Sequence, residues 1–521
     1  MLGITYLMTA PTASLERELK FALDLRASLP DLEPLVGAVI RLPDQLLHTT
    51  YFDTSDMRLW QRRITLRHRS GEDTEEGTWT LKLPVESAAT TLERTELSWP
   101  GPKKDVPAEV PTLLRGILRQ GRLQEVVQLE SMRRRVLLCD GPPLGELDDD
   151  VVTVLRGARK GFTFRQVELE LEDGVDRSHV KSDARVITSV LKALRKAGAH
   201  PEDEPKFAKS IGGLRSERET GGDKSVEDVV HRCIVNSLGR LLDHDIRLRL
   251  SPSEPPQEAV HQARVATRRL RSDLRTFASV LDPVWLRHVT NDLQWIGTVL
   301  GSVRDVDVLE QRLSLSDPSE PLERVGREEL SARLSWQRRD LSRHLGEALD
   351  TDRYLQLLGR LHAAVHALPV RPPPKSSHSG SRPPAEPAAA VLPKLVRTPW
   401  IDLQKKVKKA GRHPSDRQLH RIRIRAKRLR YAAEAAQPTV GRRARRTAKA
   451  AERLQTILGE HHDAVEAERW LRREGPNASA VGGFAAGLLT ARQQRDQRRL
   501  RRRWRSVWKS LGARKNTAWF R

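Results

Sequence analysis

Two short runs of alternating residues in the first third of the chain have side chains suited to metal and phosphate chemistry. Glu16, Glu18 and Lys20 are spaced two residues apart, as are Glu168 and Glu170. Residues two apart in a β-strand point to the same face, so each run predicts a strand with its charges on one face. Carboxylate oxygens bind divalent metal ions such as Mg²⁺, which also bind phosphate oxygens.

Basic residues alternate in the same way between these two runs. They are Arg67 and Arg69, Lys82, and Arg94 followed by Glu96. The ordinary explanation of such alternation is a sheet whose polar face is in water. Here, however, carboxylates stand on two predicted strands and cations on three others, instead of a mixture of polar types. Enclosed in a barrel these charges would need compensation, and a chain of phosphates carrying a divalent metal would compensate both signs.

Alternating segments place these residues in an antiparallel sheet, and the rest of the chain is helical. Three of the predicted strands are Thr78–Leu83, Leu92–Ser98 and Arg165–Glu172. A helix is predicted over His179–Ala197, and beyond about Ser225 the periodicity is helical almost throughout. The chain is therefore predicted to be multidomain, with a β-rich part followed by an all-α part.

Two motifs occur twice in the helical part. His261, Arg264, Arg268 and Arg271 recur 159 positions later as His420, Arg423, Lys427 and Arg430. Val299-Leu300-Gly301 with Asp305 recurs 158 positions later as Ile457-Leu458-Gly459 with Asp463. The nearly constant offset indicates an internal duplication. Residues 371–393 are rich in Pro, Ser and Ala and predict a disordered linker between the two copies.

The repeated basic residues form a narrow stripe on each helix. At about 100° per residue, those of the first copy fall within an arc of about 80°. They are His261, Arg264, Arg268, Arg271 and Arg275, and in the second copy Glu434 takes the place of Arg275. No acidic residue stands between the cations, and like charges at these spacings repel. A basic face in water is the usual interpretation, but a bound polyanion would offset the repulsion.

The net charge supports a polyanionic partner for the helical part. Residues 1–220 carry a net charge of −2 and residues 221–521 one of +26, and such an excess attracts polyanions. Cys139 and Cys233 match no metal or redox spacing, so a reducing cytoplasm is expected. No stretch approaches the roughly 18 to 20 apolar residues of a membrane-spanning helix.

The N-terminal series resembles the CYTH superfamily, the triphosphate tunnel metalloenzymes. The matching segments, in order, are Glu16-Arg17-Glu18-Leu19-Lys20, Tyr51-Phe52-Asp53-Thr54, Leu66-Arg67-His68-Arg69, Trp79-Thr80-Leu81-Lys82, Glu93-Arg94-Thr95-Glu96 and Glu168-Leu169-Glu170-Leu171. The resemblance implies an eight-stranded antiparallel β-barrel with a tunnel that holds triphosphates. We expect this domain at residues 10–214.

The resemblance also implies the role of each residue. The metal ligands, for Mg²⁺ or Mn²⁺, would be Glu16, Glu18, Glu168 and Glu170. The phosphate oxygens would be held by Lys20, Arg67, Arg69, Lys82 and Arg94, and the catalytic residues would be Glu16, Glu18 and Lys20. The implied reaction is in-line attack of water on a terminal phosphorus of inorganic triphosphate.

Four assignments within this resemblance stay open. Glu96 is either a further metal ligand or a residue that orients Arg94. Among Asp148, Asp149 and Asp150, Asp149 is favoured as the residue that faces the tunnel. Lys206 and Lys209 both match a late lysine of the family. Residues 133–135, three consecutive arginines, either supply a further phosphate contact or are solvated.

The helical part resembles the CHAD domain, on both copies of the His-led and Leu-Gly motifs, and is expected at residues 225–515. The resemblance implies two pseudo-symmetric four-helix bundles around a basic groove that binds inorganic polyphosphate. The binding residues would be His261, Arg264, Arg268, Arg271, Arg275, His420, Arg423, Lys427 and Arg430. Since no nucleophile or carboxylate pair is recognisable here, we interpret this domain as a binder, and Asp305 and Asp463 as residues that hold His or Arg side chains.

The preferred function is therefore a metal-dependent inorganic triphosphatase joined to a polyphosphate-binding module, with no membrane partner. Two alternatives belong to other classes: a targeting protein whose barrel binds phosphate chains without turnover, and a nucleic-acid-binding protein that uses the basic half. Within the enzyme hypothesis, thiamine triphosphate, nucleoside triphosphates and cyclic-nucleotide synthesis remain open.

Overall fold

The chain divides into two compact units, Met1–Glu219 and Thr220–Arg521. The computed structural model describes residues 12–72, 76–84, 92–171, 180–202, 204–212, 224–314, 321–371 and 387–521. Within these ranges, the side chains of residues 12–17, 92–94 and 180–184 fall outside the description. The predicted division into a β-rich and a helical part agrees with these two units.

Within the described residues, the first unit contains one antiparallel sheet of ten strands. The strands are β1 (Thr12–Leu23), β2 (Ala38–Arg41), β3 (Gln45–Asp53), β4 (Thr65–Ser70), β5 (Thr78–Pro84), β6 (Leu92–Pro100), β7 (Gln124–Cys139), β8 (Pro143–Arg156), β9 (Thr163–Leu171) and β10 (His200–Pro201). Their order is β10-β1-β6-β5-β4-β3-β7-β8-β9, and β2 pairs with β7. All three strands predicted above are present within a few residues of their expected bounds.

The sheet has ten strands where an eight-stranded barrel was predicted. The two additional strands are short and pair with the far ends of longer ones. Strand β7 pairs with β3 over Gln124–Arg133, and its continuation, Val136–Cys139, pairs with β2. Strand β10 pairs with β1 only at Phe21 and Ala22. Neither short strand has the charge alternation from which strands were predicted, so the sequence pattern did not reveal them.

Strand β1 is shared between two long partners. Its segment Thr12–Glu18 pairs with β6, and its segment Glu18–Leu23 pairs with β9. The change of partner occurs at Glu18, which takes part in both pairings. Strand β1 therefore lies between β6 and β9, and it brings residues of both strands next to the Glu18–Lys20 motif.

The two faces of β1 and β9 differ in character. Phe21 and Leu23 of β1 pack with Leu169 of β9, and this apolar face is covered by Val190 and Leu194 of a helix. Burial of a side chain of this size stabilises the fold by about 1.5–3 kcal/mol. The alternate residues lie on the opposite face, which we call the charged face.

Four helices accompany the sheet. They are α1 (Glu109–Leu113), α2 (Arg115–Leu118), α3 (Val180–Lys196) and α4 (Lys206–Ile211). Helix α3 confirms the helix predicted over His179–Ala197. Short helix α4 is anchored by Phe207, whose ring lies 4.9 Å from that of Tyr51 in β3. This apolar contact fixes Lys206, the first residue of α4, against the sheet.

In its described part, the second unit is helical. Its helices are α5 (Val226–Leu250), α6 (Gln257–Thr276), α7 (Pro283–Ser314), α8 (Pro321–Leu349), α9 (Asp352–His366), α10 (Ala388–Ala410), α11 (Asp416–Ala435), α12 (Gln437–Val440), α13 (Arg442–Glu474), α14 (Ala480–Leu511) and α15 (Arg514–Thr517). Single 3₁₀ turns occur at Glu33–Leu35, Trp60–Arg62 and Gly475–Asn477. Ser225 begins α5 with a capping box to Asp228, which explains the predicted start of helical structure at Ser225.

The duplicated motifs occupy equivalent helices. The His-led motifs lie on α6 and α11, and the Leu-Gly motifs lie on α7 and α13. Helix α6 packs against α7, α11 packs against α13, and α6 and α11 also pack against each other. The basic stripes of the two copies therefore belong to one surface of the helical unit.

The predicted Pro-rich linker is shorter than expected. Residues 372–386 lie outside the described part of the chain, but residues 388–393 form the first turns of α10. Ala388 and Leu392 are buried there, and three consecutive alanines favour the helix despite Pro393 within it. Among the described residues, no helix combines the length and apolar character that a membrane-spanning segment needs.

Candidate functional site

On the charged face, β1 and β9 bring carboxylates and an ammonium group together. Glu18 stands directly opposite Glu170, and Lys20 directly opposite Glu168. The Nζ atom of Lys20 lies 2.6 Å from Oε1 of Glu18 and 3.3 Å from Oε1 of Glu168. Glu18, Lys20 and Glu168 are largely buried, whereas Glu170 is exposed. Lys20 thus bridges two carboxylates that the family resemblance assigns to metal binding.

Lys206 and Arg133 complete this cluster. The Nζ atom of Lys206 lies 2.5 Å from Oδ2 of Asp150 and 2.7 Å from Oε2 of Glu168. The Nη2 atom of Arg133 lies 2.8 Å from Oδ2 of Asp150 and 3.6 Å from Oε2 of Glu168, and Nη1 contacts Asp148. We call the set the carboxylate cluster: Glu18, Lys20, Arg133, Asp148, Asp150, Glu168 and Lys206.

These contacts bear on the choice between Lys206 and Lys209 and on the environment of Arg133, both of which the sequence left open. Lys206 joins the carboxylate cluster, whereas Lys209 pairs with Glu202. Arg133 is buried in the cluster, so it is not a solvated residue. Sequence reasoning could not rank the two lysines, because both lie on a single helical turn with no strand alternation to indicate their direction.

The preference for Asp149 as the residue on the charged face is wrong. Asp149 lies on the apolar side and is paired with Arg165, whose Nε atom is 2.7 Å from Oδ1 and whose Nη2 atom is 2.8 Å from Oδ2. Asp148 and Asp150 lie on the charged face instead. Leu147, two positions before Asp149, indicates which aspartate faces which side of the strand. It is a core residue, and residues two apart on a strand share a face.

Three of the predicted phosphate-binding cations, Arg67, Arg69 and Lys82, lie on strands β4 and β5. Lys82 Nζ lies 3.0 Å from Oε2 of Glu96. Arg69 donates from Nη1 to Glu72 Oε1 at 2.9 Å and from Nε to Thr49 Oγ1 at 3.2 Å. Burial raises the pKa of Glu96, but the charges of Lys82 and Arg67 outweigh this effect and lower the pKa overall. Positive charge therefore dominates this part of the face.

Two predicted site residues are described only by their backbones. Glu16 of β1 and Arg94 of β6 stand directly opposite each other in the sheet. Their side chains lie outside the described part of the structure. The register nevertheless puts Glu16 two residues before Glu18 on the same strand, as predicted.

Neighbouring charges set the ionisation of the cluster carboxylates. Burial raises the pKa of Glu168, but Lys206, Lys20 and Arg133 lower it well below its ordinary value. Glu168 is therefore ionised at neutral pH. Burial raises the pKa of Asp148 to about 7. The charge of Arg133 opposes this rise, and the nearby carboxylate of Asp150 adds to it.

The donor set of the cluster fits a hard divalent cation. In the described part of the chain, no group of three or more His, Cys, Asp or Glu side chains is arranged as a ready metal site. The β1–β9 register nevertheless places Glu18, Glu168 and Glu170 on the same face of two neighbouring strands, and Oδ1 of Asp148 is buried without a hydrogen bond. Carboxylate oxygens are the ligands that Mg²⁺ and Mn²⁺ prefer, so these residues fit such an ion.

In the helical unit, the stripes of α6 and α11 converge on Lys427. Burial, together with the charges of Arg268, Arg423 and Arg264, lowers the pKa of Lys427 to about 6, although Asp463 opposes the shift. Arg268 donates from Nε to the hydroxyl of Tyr431 at 3.0 Å. Cations from both copies are thus close enough to repel one another. We call Arg264, Arg268, Arg423 and Lys427 the central groove.

The repeated Leu-Gly motif supports the arginines of the central groove. Arg264 Nη1 lies 3.0 Å from Oδ1 of Asp305, and Arg423 Nη2 lies 3.9 Å from Oδ1 of Asp463. Asp305 therefore pairs with an arginine side chain, in agreement with the prediction, whereas Asp463 lies near one at a longer distance. A Cβ atom at Gly301 would stand 3.4 Å from Nη2 of Arg264. At Gly459 a Cβ atom would stand 3.5 Å from Nε of Arg423, so each glycine leaves room for a guanidinium group.

The two leading histidines have different neighbours. Burial and the charge of Arg304 lower the pKa of His261. The ring of His420 lies 4.2 Å from that of His462, and burial followed by the charge of Arg423 lowers the pKa of both rings, that of His462 to about 3. Arg304 and His462 occupy equivalent positions beside Asp305 and Asp463, so the duplication could have identified them.

The prediction that the stripes lack acidic partners is wrong in part. Arg264 has Asp305, and Arg430 lies 2.7 Å from Glu434 Oε1 and 2.8 Å from Glu452 Oε1. Most of these carboxylates belong to other helices, so inspection of the stripe alone did not reveal them. Arg271 and Arg275 differ, since in the described part of the chain no carboxylate oxygen lies within 4.0 Å of either guanidinium group.

Both units of the chain are similar to known proteins or protein families. A family model described as CYTH domain matches residues 14–202, and one described as CHAD domain matches residues 232–472. The "Uncharacterized protein Rv2226" of Mycobacterium tuberculosis strain H37Rv is 31% identical over 513 residues, which cover 92% of this chain and 93% of the relative.

Two solved structures are similar to single units. The CHAD domain from the plant Ricinus communis is 24% identical with a TM-score of 0.45, over 58% of this chain and 96% of that chain. The putative adenylyl cyclase HpAC1 from Hippeastrum, described as having a dominant triphosphatase activity, is 17% identical with a TM-score of 0.24, over 38% of this chain and 97% of that chain.

Proposed function

Because the chain belongs to the family in which a CYTH domain precedes a CHAD domain, we propose that its first unit hydrolyses inorganic triphosphate with a divalent metal and that its second unit binds inorganic polyphosphate. The domain order is the one predicted from the sequence. The observation that carries the proposal is the charged face, where the carboxylate cluster adjoins the cations of β4 and β5. A metal-bearing phosphate chain satisfies both groups of charges.

We propose that the charged face lines a tunnel. The eight longer strands are each paired with two neighbours, because β1 pairs with both β6 and β9. This cycle of pairings supports an enclosed space between the strands, with β2 and β10 as additions outside the cycle. For the second unit, the equivalent packing of α6 on α7 and of α11 on α13 supports two pseudo-symmetric four-helix bundles.

The substrate is held by the cations of the charged face. The phosphate-binding residues are Lys20, Arg67, Arg69, Lys82 and Arg94. Arginine presents a planar fork that binds two phosphate oxygens at once. Glu96, 3.0 Å from Lys82, and Glu72, 2.9 Å from Arg69, orient these cations before substrate binds. This arrangement suits a compact, highly charged chain of phosphates, for which charge alone supplies recognition.

Four carboxylates of β1 and β9 would hold the metal: Glu16, Glu18, Glu168 and Glu170. A Mg²⁺ or Mn²⁺ ion bound there would neutralise negative charge on the phosphates. Lys20 exchanges its contacts with Glu18 and Glu168 for a phosphate oxygen of the substrate. Lys206 and Arg133 remain on the far side of Glu168 and keep it ionised and in position. Water then attacks the terminal phosphorus in line with the leaving oxygen.

The central groove binds polyphosphate through charge. Three arginines from the two copies lie near Lys427: Arg264, Arg268 and Arg423. Burial and the positive charges of these arginines lower the pKa of Lys427, and a bound polyanion would raise it again. Among the described residues of this groove, no serine, cysteine or paired carboxylate stands in a position to act as a nucleophile. Binding without turnover is therefore the function proposed for this unit.

A cytoplasmic location also belongs to this proposal. Cys139 and Cys233 are both buried and form no disulfide. A reducing compartment agrees with two such thiols.

A substrate panel tests the catalytic part of the proposal. Phosphate release by the full chain is measured from inorganic triphosphate, ATP and thiamine triphosphate, each with Mg²⁺, with Mn²⁺ and with a chelator. We expect inorganic triphosphate to be hydrolysed fastest and the chelator to abolish release. If polyphosphate binds but none of the three compounds is hydrolysed, the non-catalytic targeting function replaces this proposal.

A charge-matched pair of variants tests the binding part. Arg264, Arg268 and Lys427 are changed together to Gln, and the control changes Arg442, Arg445 and Arg446, which are exposed, to Gln. We expect the groove variant to bind polyphosphate about 100-fold more weakly and the control to change little, since only the first loses phosphate contacts. Equal losses would mean that net charge alone governs binding. Preferential displacement of polyphosphate by RNA at matched salt would favour the nucleic-acid alternative.

A further inference from the structure

The duplication of the helical unit breaks down at the two edges of the central groove. Arg269 and Arg428 are equivalent at an offset of 159 residues, and so are Arg275 and Glu434. The exchange of an arginine for Glu434 is one difference between the two edges. Two others are Arg425, which is equivalent to Ala266, and Asp273, which is equivalent to Ala432. Because α6 and α11 pack against each other, each edge combines residues of both copies.

At the first edge every arginine has an acidic partner. Arg269 contacts Glu434 and lies 3.5 Å from Oδ2 of Asp273. Arg430 lies 2.7 Å from Glu434 and 2.8 Å from Glu452. Burial lowers the pKa of Arg269, but the charges of Asp273 and Glu434 outweigh burial and raise it. These charges are neutralised within the protein. We call the set the paired edge: Arg269, Asp273, Arg430, Glu434 and Glu452.

At the second edge four arginines are grouped without such partners: Arg271, Arg275, Arg425 and Arg428. In the described part of the chain, no carboxylate oxygen lies within 4.0 Å of their guanidinium groups. Burial lowers the pKa of Arg428, and the positive charges of Arg425 and Arg275 lower it further. The carboxylate of Asp402 in α10 raises this pKa, but from beyond 4.0 Å. The Nε atom of Arg425 is buried without a hydrogen bond. We call this set the arginine edge.

The arginine edge continues the central groove. Burial and the charges of Arg275 and Arg268 lower the pKa of Arg271. Arg271 is therefore close to Arg268 of the central groove and to Arg275 of the arginine edge. Arg268 in turn acts on Lys427. On α6, Arg264, Arg268, Arg271 and Arg275 are spaced three or four residues apart, so these cations follow one another along one side of the helix. On α11 the equivalent series of Arg423, Lys427 and Arg430 ends at Glu434.

We propose that a long polyphosphate chain leaves the central groove on one side only, across Arg271, Arg275, Arg425 and Arg428, and does not cross the paired edge. This inference rests on the proposed polyphosphate binding and assigns Arg425 and Arg428 as further binding residues. Phosphate oxygens at the arginine edge would supply the missing acceptors and relieve the repulsion. At the paired edge the carboxylates of Glu434 and Glu452 would repel the chain.

The pseudo-symmetry supplies matched variants for the test. Arg271 and Arg430 are equivalent in the two copies, so Arg271→Gln and Arg430→Gln remove the same charge from opposite edges. A second comparison sets R425Q/R428Q against the exposed pair R442Q/R445Q. Binding of the full-length variants to polyphosphate of about 100 units is measured in the presence of a chelator, which prevents hydrolysis, together with thermal unfolding as a control for folding.

We expect R425Q/R428Q to weaken binding of the long chain at least about tenfold, because two charge-assisted contacts are lost, and R442Q/R445Q to change it less than twofold. Arg271→Gln should weaken binding several-fold more than Arg430→Gln, because the charge of Arg430 is already paired with Glu434 and Glu452. If R425Q/R428Q does not fold, the Arg271 and Arg430 variants decide alone.

The failure of this inference is distinguishable from failure of the proposed function. If the wild-type protein binds no polyphosphate, the proposed function itself fails. If the wild type binds and the central-groove variant loses binding, but Arg271→Gln and Arg430→Gln lose equal affinity, the chain uses both edges and the inference is overturned. Equal behaviour of R425Q/R428Q and R442Q/R445Q would overturn it as well.

Discussion

The ammonium group of Lys206 lies 2.7 Å from the carboxylate of Glu168, in the interior of the carboxylate cluster. It also contacts Asp150 at 2.5 Å. Lysine and carboxylates are all largely buried, and a buried ion pair is costly to break because the remaining charge loses its compensation. Helix α4 lies outside the sheet, but through Lys206 it is part of the proposed catalytic unit.

We predict that Lys206→Gln lowers the turnover of inorganic triphosphate at least about tenfold and the free energy of unfolding of the first unit by about 3 kcal/mol. Turnover falls because Glu168 loses one of the cations that position it. The control is Lys209→Gln, three residues along the same helix, where the partner is Glu202. Phosphate release and thermal unfolding of both variants are measured, and equal effects would contradict a specific role for Lys206.

The pairing of Asp149 with Arg165 predicts a structural role for Asp149. Asp149→Asn should lower the free energy of unfolding by about 3–5 kcal/mol, because it leaves the charge of Arg165 buried without a counter-ion. Turnover per folded molecule should stay close to that of the wild type, since Asp149 lies on the opposite face from the carboxylate cluster. Chemical denaturation and phosphate release measured below the unfolding temperature separate the two effects. A fully folded but inactive Asp149→Asn protein would contradict this assignment.

The lowered pKa of Lys427 predicts that polyphosphate binding takes up a proton. At pH 8 this side chain is mostly neutral, because burial and the charges of Arg268, Arg423 and Arg264 lower its pKa to about 6. A bound polyanion favours the charged form and raises the pKa, so protonation accompanies binding. Affinity should therefore increase as the pH falls from 8 towards 6.

Calorimetry in buffers of different ionisation enthalpy measures this uptake, which we expect to be about one proton at pH 8. His261, His420 and His462 are also neutral at pH 8 in the free protein, because their pKa values are lowered, and a bound polyanion raises their pKa values as well. Lys427→Arg keeps the positive charge at every pH and should bind with about one proton less than the wild type. The same uptake by wild type and Lys427→Arg would show that another group titrates.

The glycines of the repeated Leu-Gly motif predict opposite effects of small and large substitutions. A Cβ atom at Gly459 makes only an ordinary contact of 3.5 Å with Arg423, so Gly459→Ala should stabilise α13 by up to about 1 kcal/mol through helix propensity. Gly459→Leu should displace the guanidinium group of Arg423 and weaken polyphosphate binding about tenfold. Thermal unfolding and binding are measured for both variants. Unchanged binding by a folded Gly459→Leu protein would remove this supporting role.

Periodicity predicted the parts of the site that lie on regular elements. The alternation of Glu18 and Lys20, and of Glu168 and Glu170, predicted shared faces because side chains of a strand repeat every two residues. The register that sets Lys20 opposite Glu168 then follows from strand pairing. In the same way, the helical repeat predicted the stripe around Arg264 and Arg268, and the duplication indicated which helices are equivalent.

The remaining features depend on contacts between distant segments. Asp148, Asp149 and Asp150 are identical in chemistry, so only packing of Leu147 in the core determines which of them face the cluster. Lys206 lies on one short helix whose direction is fixed by the contact of Phe207 with Tyr51. Glu452 reaches Arg430 from another helix, and no local pattern predicts such a partner.

The central claim is that the carboxylates of the first unit support hydrolysis of inorganic triphosphate, independently of the binding unit. It is tested most directly by phosphate release from inorganic triphosphate by the full-length wild type and by Glu18→Gln, with Mg²⁺ or Mn²⁺ present. Thermal unfolding is the control for folding of the first unit, and polyphosphate binding is the control for the second unit. The account predicts release by the wild type and almost none by Glu18→Gln, because the proposed metal site loses a charged ligand, while both proteins bind polyphosphate equally. Release by Glu18→Gln at the rate of the wild type would contradict it.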